Sequence, residues 1–332
     1  MAKHLITGGA GFIGSHLADL LINRGESVTI IDNLSTGRFS NVAHLERNKR
    51  FNCIVDNVAN EHLTEGLIRE ADCVYHLAAS VGVRLVIERP TEAIINNVMG
   101  TEIVLRNACR YRKPILIIST SEVYGKSREQ VFSEDADCVM GPTSRSRWGY
   151  ATSKAIDEFL ALAYFQEKQL QTVVVRLFNT VGPRQTGHYG MVIPTLVRQA
   201  LFNQPLTVFG DGTQTRCFGH VFDVVPMLVD LLGRPDTAGL VFNVGTQEEV
   251  SIKRLAERII ELTGSTSTIT YVPYTQAYPP GFEDMERRVP DLSRLKRFTG
   301  YEPKHHLDDI LRDVIRHLQE KVPQQEAIAV GA

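Results

Sequence analysis

The chain has 332 residues, 43% of them hydrophobic and 22% charged, with a formal net charge of −2. That is a globular composition, long enough for two domains or for one large domain with a lobe. The near-neutral balance gives nucleic acid or an anionic membrane surface nothing to hold, and no apolar run reaches the roughly 20 residues of a membrane span. Residues 1–7 are too short for a secretory signal. The five cysteines include no CxxC pair, which excludes a zinc ribbon and a disulfide framework. Reduced thiols, a cytoplasmic location and no metal are the expectation, with Cys217 a small buried filler.

In chain order, strand-like runs fall at 4–7, 27–32, 51–55, 73–77, 114–119 and 173–177, apolar on both faces as strands covered by helices should be. Helical stretches lie between them at 12–24, 61–69, 91–112 and 148–168. Such alternation predicts an α/β fold, a Rossmann-type doubly wound parallel sheet with right-handed crossovers. Beyond residue 178 proline and glycine punctuate the chain, with helices expected at 191–202, 221–232, 252–263 and 307–320. Asp223 is read as a cap for a helix beginning near Val224. The expected organisation is a dinucleotide-binding part, 1–178 plus 218–243, and a smaller substrate lobe, 179–217 plus 244–320, with 321–332 as a flexible tail.

Gly8, Gly11 and Gly14 follow the first strand and open the first helix. Small residues there let backbone N–H groups approach a pyrophosphate and let the helix pack on the strand. Asp32 ends the second strand, where a carboxylate accepts from ribose hydroxyls and repels a 2′-phosphate, favouring NAD over NADP. Asp56, past the third strand, is either an adenine contact or an ordinary capping aspartate. Tyr150 and Lys154 lie four residues apart, on one face of a helix, so the ammonium can favour the phenolate. The glycine turn and this pair together point to hydride chemistry at a carbinol carbon.

These residues resemble the extended short-chain dehydrogenase/reductase family that acts on nucleotide sugars. The likeness runs through 7–17, 32–37, 76–79, Asn97, 119–125, 150–154, 176–184 and 210–218. It implies a retained NAD held by Gly8, Gly11, Phe12, Ile13, Gly14, Asp32, Asn33, Asp56, Leu77, Ala78, Ala79, Asn97, Tyr150 and Lys154. Tyr150 would take the C4 hydroxyl proton, Lys154 would hold the nicotinamide ribose and lower the tyrosine pKa, and Thr120 or Ser121 would bond the same sugar oxygen. Asn179, Arg184 and Arg216 would face the sugar diphosphate, with Val192 near the base or in the core, and Arg184 alternatively a solvated loop charge. Relatives also pair through the helices at 91–112 and 148–168, implying a homodimer.

The stretch Thr120-Ser121-Glu122-Val123-Tyr124-Gly125 is similar to that of UDP-glucuronate decarboxylases, as are 178–184, 212–218 and the Arg287-Arg288-Val289-Pro290-Asp291 segment. The resemblance implies loss of carbon dioxide from UDP-glucuronate after C4 oxidation, then re-reduction to UDP-xylose. Arg288 would grip the sugar carboxylate and Glu122 would manage a proton at C5; the plainer alternatives are a surface ion pair and a structural carboxylate. Two stretches depart from the decarboxylases, Ala151-Thr152-Ser153 within the tyrosine–lysine motif and the 78–84 loop with Arg84, a cation toward the substrate. A UDP-hexose or UDP-uronate 4-epimerase therefore stays open, and behind it a 4,6-dehydratase or a non-catalytic NAD-binding protein.

Overall fold

The computed structural model describes residues 1–80, 88–145, 147–187, 191–277, 285 and 287–329. The chain opens with β1 (Lys3–Thr7), α1 (Phe12–Asn23), β2 (Ser27–Asp32), β3 (Phe51–Val55), α2 (Glu61–Glu70) and β4 (Cys73–His76). There follow α3 (Pro90–Arg110), β5 (Ile115–Thr120), a 3₁₀ turn at Ser121–Tyr124, α4 (Arg147–Lys168), β6 (Thr172–Leu177) and β7 (Thr180–Val181). Next come α5 (Val192–Leu201), β8 (Leu206–Phe209), β9 (Thr215–Cys217), β10 (Gly219–His220), α6 (Val221–Leu232), β11 (Leu240–Val244), β12 (Glu249–Ser251) and α7 (Ile252–Thr263). The remainder is β13 (Ile269–Val272), α8 (Tyr274–Ala277), α9 (Ser293–Thr299) and α10 (Leu307–Ala329).

Seven strands form one sheet in the order β11-β6-β5-β4-β1-β2-β3, every pair parallel. Alternate side chains of each strand enter different cores, as a pleat dictates. Ile6, Leu116, Val173 and Val175 pack with α1 and α6, whereas Leu5, Ile115, Ile117 and Val174 pack with α2, α3 and α4. The strand order reverses between β1 and β4, which lie side by side with Thr7 opposite His76. In an open α/β sheet the crevice beyond the carboxyl ends at this switch point is where ligands bind.

A separate core joins α5, α7 and α10 through Ile193, Leu196, Leu255, Ile259, Ile310 and Val314. Three two-stranded pairings serve this part of the chain: β7 with β10, β9 with β12 and β8 with β13. Among the described residues no helix is long and apolar enough to cross a membrane.

Three local readings change. The helix expected at 221–232 is present with those bounds, but its cap is His220, whose ring accepts from the Phe222 N–H at 3.0 Å, and not Asp223. Asp223 instead accepts from the Lys304 and His305 N–H groups at 3.1 and 3.0 Å and pairs with His305, tying α6 to the turn before α10. The last helix continues to Ala329, past Glu320 and through most of the expected tail, and the seven-residue α9 went unread.

Candidate active site

The glycine turn is shaped by steric necessity. Gly8 has φ +71°, and a Cβ there would meet the Ala78 N at 2.8 Å. A Cβ on Gly14 would lie 2.4 Å from the Gly8 carbonyl oxygen, so a larger residue would push α1 off β1. The N–H groups of Phe12, Ile13 and Gly14 precede the first helical bond, Ser15 N–H to Gly11 O at 3.1 Å. They are the free donors of a helix start, where an anion gains from both the N–H groups and the helix dipole.

Asp32 buttresses this turn. Its carboxylate accepts from the Ala10 N–H at 3.0 Å and the Leu34 N–H at 2.8 Å. Burial pushes its pKa up, and those N–H groups act in the opposite direction. Gly8, Gly11, Phe12, Ile13, Gly14, Asp32 and Asn33 line a single cleft of about 1050 Å³. So do Asp56, Leu77, Ala78 and Ala79 on the facing side of the switch point. Asp56 accepts from the Asn57 N–H at 2.6 Å and from Asn60 at 3.0 Å, which is the bonding of a loop-capping aspartate. A helix-start anion site beside a ribose-height carboxylate suits a dinucleotide, and the volume sits at the top of the range for one small ligand, leaving room for a second.

The same cleft runs on to the candidate catalytic groups. Thr120, Ser121 and Glu122 line it from the end of β5, Tyr150 from the first turn of α4, and Arg288 from the segment before α9. Arg288 Nη1 lies 3.4 Å from Glu122 Oε1, and both side chains are largely buried. The Tyr124 hydroxyl, two residues past Glu122, donates to Asn243 Oδ1 at 2.7 Å. Asn243 Nδ2 in turn donates to the Phe132 and Asp291 carbonyls at 2.8 and 3.3 Å, and Phe132 N–H donates to Val289 O at 2.8 Å. Asn243 of β11 is thereby bonded to the segments that carry Glu122 and Arg288, through Tyr124 on one side and Asp291 on the other. Below them, Arg176 forks onto Glu158 with contacts of 2.7 to 3.2 Å, and the Ser119 hydroxyl donates to the same carboxylate.

The Tyr150 phenol is not acidified as the spacing suggested. Burial pushes its pKa above the usual range; the Glu122 and Asp157 carboxylates add to this, and a hydrogen bond with Thr120 works against it. Lys154 does not reach the cleft wall. Its Nζ donates to the buried Asp157 carboxylate at 2.7 Å, so the positive charge is answered inside the protein. Asn97 is likewise internal: Oδ1 accepts from the Ser80 N–H at 2.7 Å and Nδ2 donates to Ser153 Oγ at 3.2 Å. It braces the loop after β4 against α4.

The polar groups assigned to a sugar diphosphate do line the cleft: Asn179, Arg184 and Arg216, with Val192 at the first turn of α5. Asn179 Nδ2 donates to Cys217 O at 2.9 Å, and Arg216 Nη1 to Thr215 O at 2.7 Å. Arg184 has φ +70° and a 2.7 Å ion pair with Asp19 on α1, which places it near the glycine-turn helix rather than in solvent. Arg84 lies outside the described residues. Thr180 and Gln185, not singled out by the sequence, also line the cleft, each with a buried oxygen that lacks a partner. Thr180 lies in the 178–184 stretch that resembles known decarboxylases, which was the available signal, and Gln185 directly follows that stretch.

A model of the family described as GDP-mannose 4,6 dehydratase matches residues 5–314. A UDP-N-acetyl-alpha-D-glucosaminuronate decarboxylase of Bacillus cytotoxicus is 40% identical over 317 residues, covering 95% of this chain and 97% of that protein. UDP-glucuronic acid decarboxylase 1 of Arabidopsis thaliana is 36% identical over 322 residues, covering 97% and 71%. Among solved structures, UDP-glucuronic acid 4-epimerase from Bacillus cereus, in complex with UDP-glucuronic acid and NAD, is 31% identical with a TM-score of 0.86, covering 96% and 99%. The parallel sheet, the glycine turn at its switch point and these matches agree: the chain belongs to the GDP-mannose 4,6-dehydratase family, within the extended short-chain dehydrogenase/reductases.

Proposed function

We propose that the protein is an NAD-dependent decarboxylase of a UDP-linked uronic acid. The observation that carries this is the Glu122–Arg288 pair in the cleft that also holds Tyr150 and the glycine turn. A planar guanidinium can grip a carboxylate at two points, and Glu122 can give up its place on Arg288 to the sugar acid.

Bound NAD supplies the hydride acceptor at C4 and, after carbon dioxide has gone, the hydride donor. Tyr150 takes the C4 hydroxyl proton, and Thr120 and Ser121 stand beside the same oxygen. The resulting 4-ketone is β to the C6 carboxylate, so the C5–C6 bond breaks with its electron pair moving onto the C4 oxygen as an enolate. Tyr150, now protonated, and Thr120 donate to that oxygen. Glu122 relays a proton taken up from solvent to C5, directly or through an ordered water, replacing the carboxyl group that has left. Tyr150 returns its proton to the C4 oxygen as the carbonyl is reduced.

UDP-glucuronate, giving UDP-xylose, is the first substrate of choice. Its 2-acetamido counterpart is the second reading, favoured by the relative from Bacillus cytotoxicus. The experiment is to incubate the protein with each and follow carbon dioxide and product mass. Loss of the carboxyl group from either supports the assignment. An unchanged mass with inverted C4 establishes a 4-epimerase instead.

The proposal extends to the assignment of 1–178 plus 218–243 to the cofactor and 179–217 plus 244–320 to the sugar nucleotide; the two cores support it except at Leu292, Leu295 and Tyr301, which pack with α1 and α6. It also includes a homodimer through α3 and α4. Phe159 on α4 is 74% exposed, and Ile94 on α3 and Ile156 on α4 are exposed as well. A cytoplasmic location fits the five unpaired cysteines.

A further inference from the structure

Asn243 has no part in the chemistry above. It lies on β11, the edge strand of the sheet, opposite Arg176 of β6, and it is fully buried. A buried amide destabilises the fold unless both hydrogens and the oxygen are paired. Here all are. Nδ2 donates to the Phe132 and Asp291 carbonyls at 2.8 and 3.3 Å, and Oδ1 accepts from the Tyr124 hydroxyl at 2.7 Å. Carbonyl oxygens only accept, so the NH2 end must face them and the phenol must be the donor to Oδ1. The amide therefore has one orientation. Its backbone N–H, on the side of β11 turned away from β6, donates to Glu134 Oε1 at 2.9 Å.

The three partners of the amide come from segments distant in sequence. Tyr124 ends the 3₁₀ turn, two residues past Glu122, and Asp291 is three past Arg288. Phe132 stands between them. Its N–H donates to Val289 O and its carbonyl accepts from the Asp291 N–H, both at 2.8 Å, and its ring stacks on Tyr124 with centroids 4.7 Å apart. One side chain thus joins the turn that carries Glu122 to the segment that carries Arg288, where the two charged groups meet at 3.4 Å. Other bonds hold these segments on the sheet. Gln247 Nε2 donates to Pro290 O at 2.9 Å, and Arg294 Nη1 on α9 donates to Val241 O at 3.0 Å. What Asn243 adds is relative placement, because a fully paired buried network rigidifies its members in one arrangement.

We propose that Asn243 is a positioning residue: it sets the Glu122–Arg288 pair for the loss of carbon dioxide and leaves C4 oxidation alone. This rests on the functional reading above. The groups assigned to oxidation, Tyr150 and Thr120, stand on α4 and β5, and neither element carries a bonded partner of the Asn243 amide. The groups assigned to the sugar carboxylate and C5 stand on the segments that the amide joins.

The test separates the two steps in a single turnover. NAD-loaded protein is mixed with UDP-glucuronate or its 2-acetamido counterpart, whichever the parent turns over, and bound NADH and released carbon dioxide are followed together. In Asn243→Ala, NADH should form within about threefold of the parent rate. Carbon dioxide release should slow roughly ten- to a hundredfold, the effect of a displacement of about 1 Å, so NADH accumulates. Tyr124→Phe removes one bond of the joint and keeps the stacked ring. It should give the same imbalance more weakly, and it carries the test if Asn243→Ala does not fold. A merely structural role would slow both steps together and loosen NAD. Equal slowing of both, or no accumulation of NADH over the parent, overturns the proposal. If the parent releases no carbon dioxide from either uronate, the functional assignment fails, and binding decides the role of Asn243. The parent's preference for UDP-glucuronate over UDP-xylose, which lacks the carboxylate, should then fall about tenfold in Asn243→Ala; an undiminished preference overturns the role.

Discussion

Replacing Arg288 by alanine is the sharpest perturbation of the sugar-acid end. The side chain is buried and sits 3.4 Å from Glu122. In the complex its fork would give the uronate two charge-assisted hydrogen bonds, and truncation leaves that carboxylate facing Glu122 with no cation between them. Hydrogen bonds to charged groups contribute about 1.5–3 kcal/mol each, so about 3–5 kcal/mol of transition-state stabilisation is lost. At about 1.4 kcal/mol per decade this is a fall in kcat/KM of a hundredfold to several thousandfold. Arg288→Lys keeps the charge without the planar fork and should recover roughly tenfold of the loss. The assay is release of labelled carbon dioxide from C6, with bound NAD measured on the same sample. NAD content should be unchanged, since Arg288 lies far from the glycine turn in the sequence and at the sugar-facing part of the cleft. If Arg288→Ala decarboxylates within about threefold of the parent, the carboxylate-gripping role is wrong.

Three further outcomes are expected. Gly14→Ala would force a Cβ to within 2.4 Å of the Gly8 carbonyl, so the turn must shift, lowering stability by about 1–3 kcal/mol and weakening NAD binding; an unchanged melting temperature and NAD affinity would contradict the steric account. Stability should fall in acid because burial holds His16 at about 4 and His76 at about 3. Both imidazoles are neutral in the fold and protonate more readily when unfolded, so their contribution is complete above pH ~6.5 and is lost as pH drops toward 4, about 2–3 kcal/mol each by pH 4.5; denaturant midpoints that do not change between pH 7 and 5 would refute this. Phe159→Glu should convert a dimer to monomers in size-exclusion chromatography, and a dimer that persists would place the contact elsewhere than α4.

What could be read from the sequence was local. The glycine turn, Asp32 at the end of β2 and Glu122 just past β5 each sit at a strand end, and strand ends follow from short apolar runs. The one-turn spacing put Tyr150 and Lys154 on the same face, but spacing carries no information about depth. Lys154 turned out to be internal because Asp157, one turn further along, competes for its ammonium. Asn97 and Arg184 were similarly drawn to partners that only the folded chain brings near, Ser80 and Ser153 for the first and Asp19 for the second. Asp223 had a capping composition but lies inside the first turn, where His220 already caps. The α9 helix is seven residues between Pro290 and Pro303, too short for a periodic signal.

The Glu122–Arg288 pair joins residues 166 positions apart. The glycine turn and Asp32, by contrast, lie within the first 32 residues. During synthesis the strands that carry the glycine turn and Asp32 emerge first, but α6 and β11, which complete the core beneath them, emerge much later, together with Asn243 and shortly before the 288–291 segment. Both walls of the cleft are therefore completed together near the end of the chain: a chain cut before Arg288 would lack Leu292, Leu295 and Tyr301 from the core under the glycine turn as well as the guanidinium that faces Glu122.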